Sequence, residues 1–276
     1  MSMPHTPEAF TREEASLARH RAALQQRFAR PPLPARAPRR RGPLIVAGIV
    51  ATLGAVLWAD PAFHTQRYTT AAGTRQQIDL PDGTAVTLNT RTVAEVEWHL
   101  RSRQVRLVDG EALFDVARAS RPFIVRAGGT TVRVVGTAFN VRRVDPRVTV
   151  TVLRGRVHVE DASGDAVLLG PRQAADTGAG TLNAHTEPDP AAAVAWKDGK
   201  LLFDHTPLAQ AVADINRYRV APVTLAEPAL GRLQISGVFD SARTDTLLDL
   251  LPSILPVTIR READDAIRVQ ARNASR

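Results

Sequence analysis

Gly136 and Thr137, in the run VRVVGTAFNVRR, are the residues of this chain with the sharpest potential for chemistry. A threonine hydroxyl held against the preceding carbonyl can attack it and form an ester that water opens, and a Gly-x bond in a tight turn offers little steric resistance. The same dipeptide also suits a β-bulge followed by a β-favouring residue, and both readings stay open. Other reactive constellations are missing. The chain has no Cys, so thiol nucleophiles, thiolate metal sites and disulfides are excluded. The seven His, at 5, 20, 64, 99, 158, 185 and 205, lack the spacing of a metal motif. No Gly-x-Ser-x-Gly elbow, Walker loop or dinucleotide fingerprint occurs, and Asp82, Asp109 and Asp198 precede glycines as turn residues do. The expectation is a protein without a metal, a cofactor or a turnover reaction.

The elements around Gly136 follow a period of two. Alternating runs at 77–80, 85–88, 94–98, 104–107, 112–116, 123–126, 131–135, 138–141, 148–153, 156–159 and 167–169 read as short strands, with turn signals such as Pro81-Asp82-Gly83 and Asp109-Gly110 between them. They define an all-β domain over 73–176. The phrases LPDGTAVTLN, LVDGEALFDV and VLRGRVHVE repeat an apolar residue, a glycine and a strand at irregular spacing, which fits either a solenoid-like sheet or a sandwich.

A Gly-, Ala-, Pro- and Thr-rich stretch at 177–192 reads as a linker. Beyond it, 193–270 alternates element types: a strand at 200–204, a helix opened by Thr206-Pro207 with Leu208, Ala211, Val212 and Ile215 on one face, strands at 223–225 and 234–238, a second helix at 244–251 stopped by Pro252, and strands at 257–261 and 267–270. This predicts a small α/β, βαββαβ-like domain whose helices cover one sheet face.

Residues 43–59, PLIVAGIVATLGAVLWA, carry no charge and read as a single transmembrane helix of roughly 25 Å. Arg39, Arg40 and Arg41 abut one end and Trp58 marks the other, and 60–72 follows as a linker. Residues 1–41 hold nine Arg against Glu8, Glu13 and Glu14, a net +6 of the chain's +8. The positive-inside rule then predicts a single-pass bacterial inner-membrane protein, N-terminus in the cytoplasm and C-terminus in the periplasm, with the bilayer as a partner. Gathering the charge beside the span also argues against direct nucleic-acid binding. Within 1–41, a Thr11-x-x-Glu14 capping box starts a helix bearing Phe10, Leu17, Leu24 and Phe28 as a narrow apolar stripe, followed by a proline-rich tether.

Four runs carry a resemblance: YTTAAGTRQQIDLPDGTAVTLNT (68–90), RQVRLVDGEALFDVA (103–117), RPFIVRAGGTTVRVVGTAFNVRR (121–143) and LRGRVHVE (153–160). They resemble the FecR family of sigma-factor regulators, and the C-terminal runs FDHTPLAQAVADINRYR and LQISGVFDSARTDTLLDLLPSILPVTI are similar to the short N-terminal domain of secretins and TonB-dependent receptors. The resemblance implies an inner-membrane signal transducer for iron or siderophore uptake. Its partners would be an extracytoplasmic-function sigma factor, gripped through Phe10, Leu17, Leu24 and Phe28, and the signalling domain of an outer-membrane TonB-dependent receptor, met through Leu247, Leu248, Leu250 and Leu251. Some family members cut themselves at a Gly-Thr bond, which Gly136-Thr137 matches. The N-terminal segment departs from the family in being about half the usual length and in having no Trp before Trp58. A periplasmic assembly protein docking a secretin or transporter without transcriptional output is the alternative.

Overall fold

The computed structural model describes residues 8–28 and 42–272. The chain divides into two compact units, Met1–Leu53 and Gly54–Arg276. The first contains helix α1 (Glu8–Arg27), on which Leu17 and Leu24 are exposed. Helix α2 (Gly42–Ala59) runs across the boundary between the two.

α2 corrects the expected transmembrane helix: among the described residues no helix is long and apolar enough to cross a membrane. Its 18 residues give a length of about 27 Å, short of a hydrocarbon core of ~30 Å.

In the second unit, thirteen strands form one sheet. They are β1 (His64–Thr69), β2 (Gln76–Asp79), β3 (Ala85–Leu88), β4 (Val93–Trp98), β5 (Arg103–Asp115), β6 (Phe123–Ala127), β7 (Thr130–Val134), β8 (Ala138–Val144), β9 (Arg147–Arg154), β10 (Val157–Glu160), β11 (Ala166–Leu169), β12 (Gln173–Gly178) and β13 (Thr181–Thr186). The order is β11-β10-β7-β6-β5-β8-β9-β12-β13, with β4 and β3 also on β5, β1 on β4 and β2 on β3. This nearly closed, barrel-like sheet takes the place of the solenoid or sandwich expected from the repeats.

β5 makes the closure possible. Arg103–Leu107 pairs with β4 and, in parallel, with β6, whereas Gly110–Asp115 pairs with β8 and its last four residues with β3. One strand thus serves both halves of the sheet, and the alternation that reads as two strands with a turn at Asp109-Gly110 is one bent strand. The bend is a bulge in which Val93 and Ala94 face Asp109 and Leu107, leaving Val108 as the extra residue. Gly110 has φ +92°, a conformation costly to residues with a Cβ. Both halves line one core, where Phe114 stacks on Phe139 at 5.1 Å and meets Phe123 at 6.0 Å.

β1 and β13 occupy stretches that read as linkers because their side chains are mostly exposed and show no apolar alternation. β12 was equally hidden, since it buries only Ala174, Ala175 and Thr177.

The C-terminal domain follows a 3₁₀ turn, Ala192–Asp198, with β14 (Lys200–Pro207), α3 (Leu208–Tyr218), β15 (Val223–Leu225), β16 (Gln234–Asp240), α4 (Thr244–Ile254), β17 (Val257–Arg261) and β18 (Ile267–Ala271). Its strands form two small sheets, β14-β16 and β15-β18-β17, rather than one. α3 buries Leu208, Ala211, Val212, Ile215 and Tyr218, and α4 buries Leu247, Leu248 and Leu251 in the same core.

Gly110→Ala tests the bend. An added Cβ would lie 2.4 Å from Thr92 Oγ1 and 2.6 Å from Thr92 Cα. Left-handed strain and overpacking together predict a loss of about 2–4 kcal/mol, read as a lowered urea midpoint. An unshifted midpoint contradicts the role given to this residue.

Candidate functional site

Strand alternation places cross-strand partners on one face of a sheet. Glu111 of β5 faces Arg142 of β8, Arg142 faces Thr149 of β9, and Thr149 faces Asp176 of β12. A polar row therefore crosses four strands on the face opposite the apolar core, and α3 lies over one end of it.

At that end Glu111 is 3% exposed. Its carboxylate accepts from Asn89 Nδ2 at 2.9 Å, Asn140 Nδ2 at 2.9 Å and Arg217 Nη1 of α3 at 2.6 Å. Arg142 pairs with Asp214, one turn earlier on α3. The last turn of α3 is held further by the Tyr218 hydroxyl, which donates to Asn89 Oδ1 at 3.0 Å. Thr90 Oγ1 donates to the Arg217 carbonyl at 2.9 Å and Arg91 Nη2 to the Arg219 carbonyl at 2.6 Å. Carbonyls at a helix C-terminus have no partner within the helix, so the β-domain completes α3. Arg75 Nη1 adds a bond to the Trp196 carbonyl at 2.6 Å.

Burial pushes the Glu111 carboxyl up, but the charges of Arg217 and Arg142 and the hydrogen bonds from Arg217 and Asn140 outweigh it and hold the group below the usual range. Arg142 is likewise pushed down by burial and carried up on balance by Asp214 and Glu111. Burial raises the Tyr218 phenol, which keeps its proton to donate. These groups can clamp two domains in one register; no nucleophile is poised among them.

The Gly136-Thr137 bond lies in the connection from β7 to β8. Thr137 is 3% exposed, and its Oγ1 is buried with no hydrogen-bond partner among the described residues. Its carbonyl accepts from Val116 N at 2.9 Å. The bond runs close to neighbouring backbone: a Cβ at Gly136 would lie 2.9 Å from Arg118 Cα, and one at Gly155 would lie 2.6 Å from Thr137 Cγ2. Among the described residues, no group of three or more His, Asp or Glu could hold a metal ion.

The other residues singled out in the sequence lie apart. Leu247, Leu248 and Leu251 are in the C-terminal core, and Leu250 alone of the four is exposed, at 47%. Leu17, Leu24 and Phe28 are 67%, 53% and 75% exposed. The Phe10 side chain and Arg39, Arg40 and Arg41 lie outside the described residues, and Trp58 is exposed near the end of α2. The joint itself went unrecognised. Its one signal in the sequence was Glu111 directly after the turn-forming Gly110, and its charge partner Arg217 lies 106 residues away on α3.

The second unit is thus a barrel-like β-domain clamped to a small α/β domain by a buried ion pair. The FecR protein family model matches residues 66–158, from within β1 to within β10. Over that stretch the chain carries a FecR domain. Two crystal structures of a candidate anti-sigma factor from Parabacteroides distasonis ATCC 8503 are similar to it at 28% identity and TM-score 0.66. They cover 75% and 74% of this chain and 99% and 98% of their own. No curated protein matches.

Replacing Glu111 by Ala leaves Arg217 and Arg142 without their shared counter-charge. The expected cost at neutral pH is about 3–5 kcal/mol of unfolding free energy. Because the folded pKa is depressed, this stability is complete above the unfolded carboxylate value of ~4.3 and is lost as pH falls through the folded value. Denaturation of wild type and Glu111→Ala should therefore converge in acid; a constant gap across pH contradicts the assignment.

Proposed function

We propose that this protein regulates an extracytoplasmic-function sigma factor. In this reading it sits at the inner membrane with the β-domain in the periplasm, and it answers to the signalling domain of an outer-membrane TonB-dependent receptor for iron or siderophore uptake. The observation that carries the reading is the similarity to the candidate anti-sigma factor, which extends over three quarters of the chain rather than over the FecR match alone. The exposed Leu17, Leu24 and Phe28 support α1 as the sigma-factor contact, since unpaired apolar side chains along one helix suit a partner's groove. On the receptor side, burial of Leu247, Leu248 and Leu251 leaves Leu250 and Ile254 as the apolar surface of α4.

The full-length chain, tagged at its C-terminus, should retain its cognate sigma factor and the receptor signalling domain in separate pull-downs. Leu24→Asp should lose the first and Leu250→Asp the second, each by about tenfold or more in affinity. Alkaline phosphatase fused after residue 276 should be active if that end is periplasmic. Retention of neither partner by wild type removes the proposal.

We also propose self-cleavage at Gly136-Thr137, supported by the buried, unpartnered Thr137 hydroxyl. Its Oγ1 attacks the Gly136 carbonyl carbon, the C–N bond breaks as the proton passes to nitrogen, and water hydrolyses the ester to a Gly136 carboxylate and a free Thr137 amine. Wild type with a C-terminal tag should yield a fragment beginning at Thr137, and Thr137→Ala only the intact chain. A single full-length wild-type band sinks this step.

A further inference from the structure

The strand register gathers one set of connections at a single end of the β-domain. Trp98 faces Arg103, Phe123 lies beside Arg103 and faces Val134, and Val157 at the start of β10 faces Leu169. In the other half of the sheet Asp115 faces Ala138 and Ala85, which face Arg154 and Asp79 in turn. The chain therefore turns at this end over 80–84, 99–102, 116–122, 135–137, 155–156 and 170–172, and it enters there from α2 through 60–63. The C-terminal domain is held from the opposite end, where Arg75, Thr90 and Arg91 reach it.

Charge at this end is one-sided. The connections and the strand ends they join carry seven arginines and four aspartates. Asp82 is taken by Arg103 at 2.6 Å and Asp115 by Arg154 at 2.7 Å, while Asp60 accepts from Arg101 N and Ser102 Oγ and Asp79 from Gln77. Glu187, which follows β13, lines the groove beside Glu111 instead. Arg118, Arg121, Arg156 and Arg172 are exposed and have no carboxylate partner among the described residues; Arg121 and Arg172 donate only to carbonyls.

The same loops leave Phe63 66%, Leu100 57% and Val135 53% exposed, and Trp58, just before the entry, 85%. The loops adjoin one another: Phe63 N donates to the Trp98 carbonyl, Arg121 Nη1 to the Leu100 carbonyl and Ala119 N to the Val135 carbonyl. Guanidiniums without counter-charge, mixed with exposed apolar side chains, suit the boundary between lipid headgroups and acyl chains, which accepts both. An acidic protein surface would match the arginines alone. α2 favours lipid as well, because it leads directly into this end and its 18 residues include no Asp, Glu, Lys or Arg.

We propose that this end of the β-domain rests on a bilayer surface rich in anionic lipid, with Arg118, Arg121, Arg156 and Arg172 at the phosphates and Phe63, Leu100 and Val135 at the headgroup boundary. The contact is peripheral and requires no helix to cross the bilayer. It rests on the membrane placement proposed above and names the surface that meets the lipid. The C-terminal domain, held from the other end, is thereby turned away from the bilayer and toward soluble partners.

The chain has no Cys, so a single introduced thiol can be labelled alone. Full-length Ser120→Cys, in the 116–122 loop, and Ala162→Cys, in the β10–β11 turn at the opposite end, are each labelled with an environment-sensitive nitrobenzoxadiazole dye. Each is mixed with vesicles of phosphatidylcholine, alone or with an equal part of phosphatidylglycerol, and flotation measures vesicle binding by any part of the chain. Emission from position 120 should shift to the blue on the anionic vesicles, and emission from position 162 should not. Arg118→Ala and Arg156→Ala, both at exposed positions, should each lower the bound-to-free ratio read at position 120 by about fivefold, the worth of one basic residue at an anionic surface. Thermal melts verify that each variant is folded. Flotation without a shift at position 120 means that another segment holds the lipid; it overturns this inference and leaves the membrane placement standing. No flotation at all overturns both. Equal shifts at the two positions, a shift that phosphatidylcholine alone reproduces, or one that both arginine variants leave unchanged also overturns the inference.

Discussion

The carboxylate of Glu111 sets the constraint that the rest of the second unit obeys. Taking it out of water costs several kcal/mol, a cost met only when charge and hydrogen bonds arrive from fixed directions. Asn89 and Asn140 supply them from within the β-domain, and Arg217 supplies the charge from α3. The C-terminal domain therefore has one docking position in which the carboxylate is satisfied. The glycine that bends β5 immediately precedes this residue, so the bend that lets the sheet close also delivers the carboxylate to its outer face.

The sequence revealed whatever was written in apolar alternation. Strands β3, β6, β9 and β17, and helix α3, lie close to where the periodicity places them, because each buries one face against a core. β1 and β13 were illegible for the opposite reason: they pair by backbone hydrogen bonds at the margin of the sheet and bury little. A charge-free run over 43–59 overstated the case for a membrane span, because freedom from charge does not by itself make a helix long enough to reach across the hydrocarbon core. The joint was hidden because its partners are long-range. Nothing local to Glu111 or Arg217 announces the other, whereas Gly136-Thr137 is a local feature and was visible at once.

The β7–β8 connection gains a specific character from the topology. β7 pairs with β6 and β10, and β8 with β5 and β9, so residues 135–137 carry the chain between the two halves of the sheet. That passage brings backbone from Arg118 and Gly155 against the Gly136-Thr137 bond, which explains glycine at 136 and at 155 without reference to chemistry. Close packing and an unpartnered hydroxyl are separate properties of the site. The first follows from the fold, whereas the second has a cost of its own that packing does not require.

The joint is asymmetric in a way that bears on how a binding event at one domain could reach the other. At the end of α3, charge-assisted hydrogen bonds and the completed helix carbonyls hold the domains in a fixed register. Along the rest of the polar row, past Arg142 toward Thr149 and Asp176, the same face lines a groove that water can enter. A contact surface strong at one end and open at the other resists translation but costs little to pivot about the strong end, because pivoting leaves the buried charges paired.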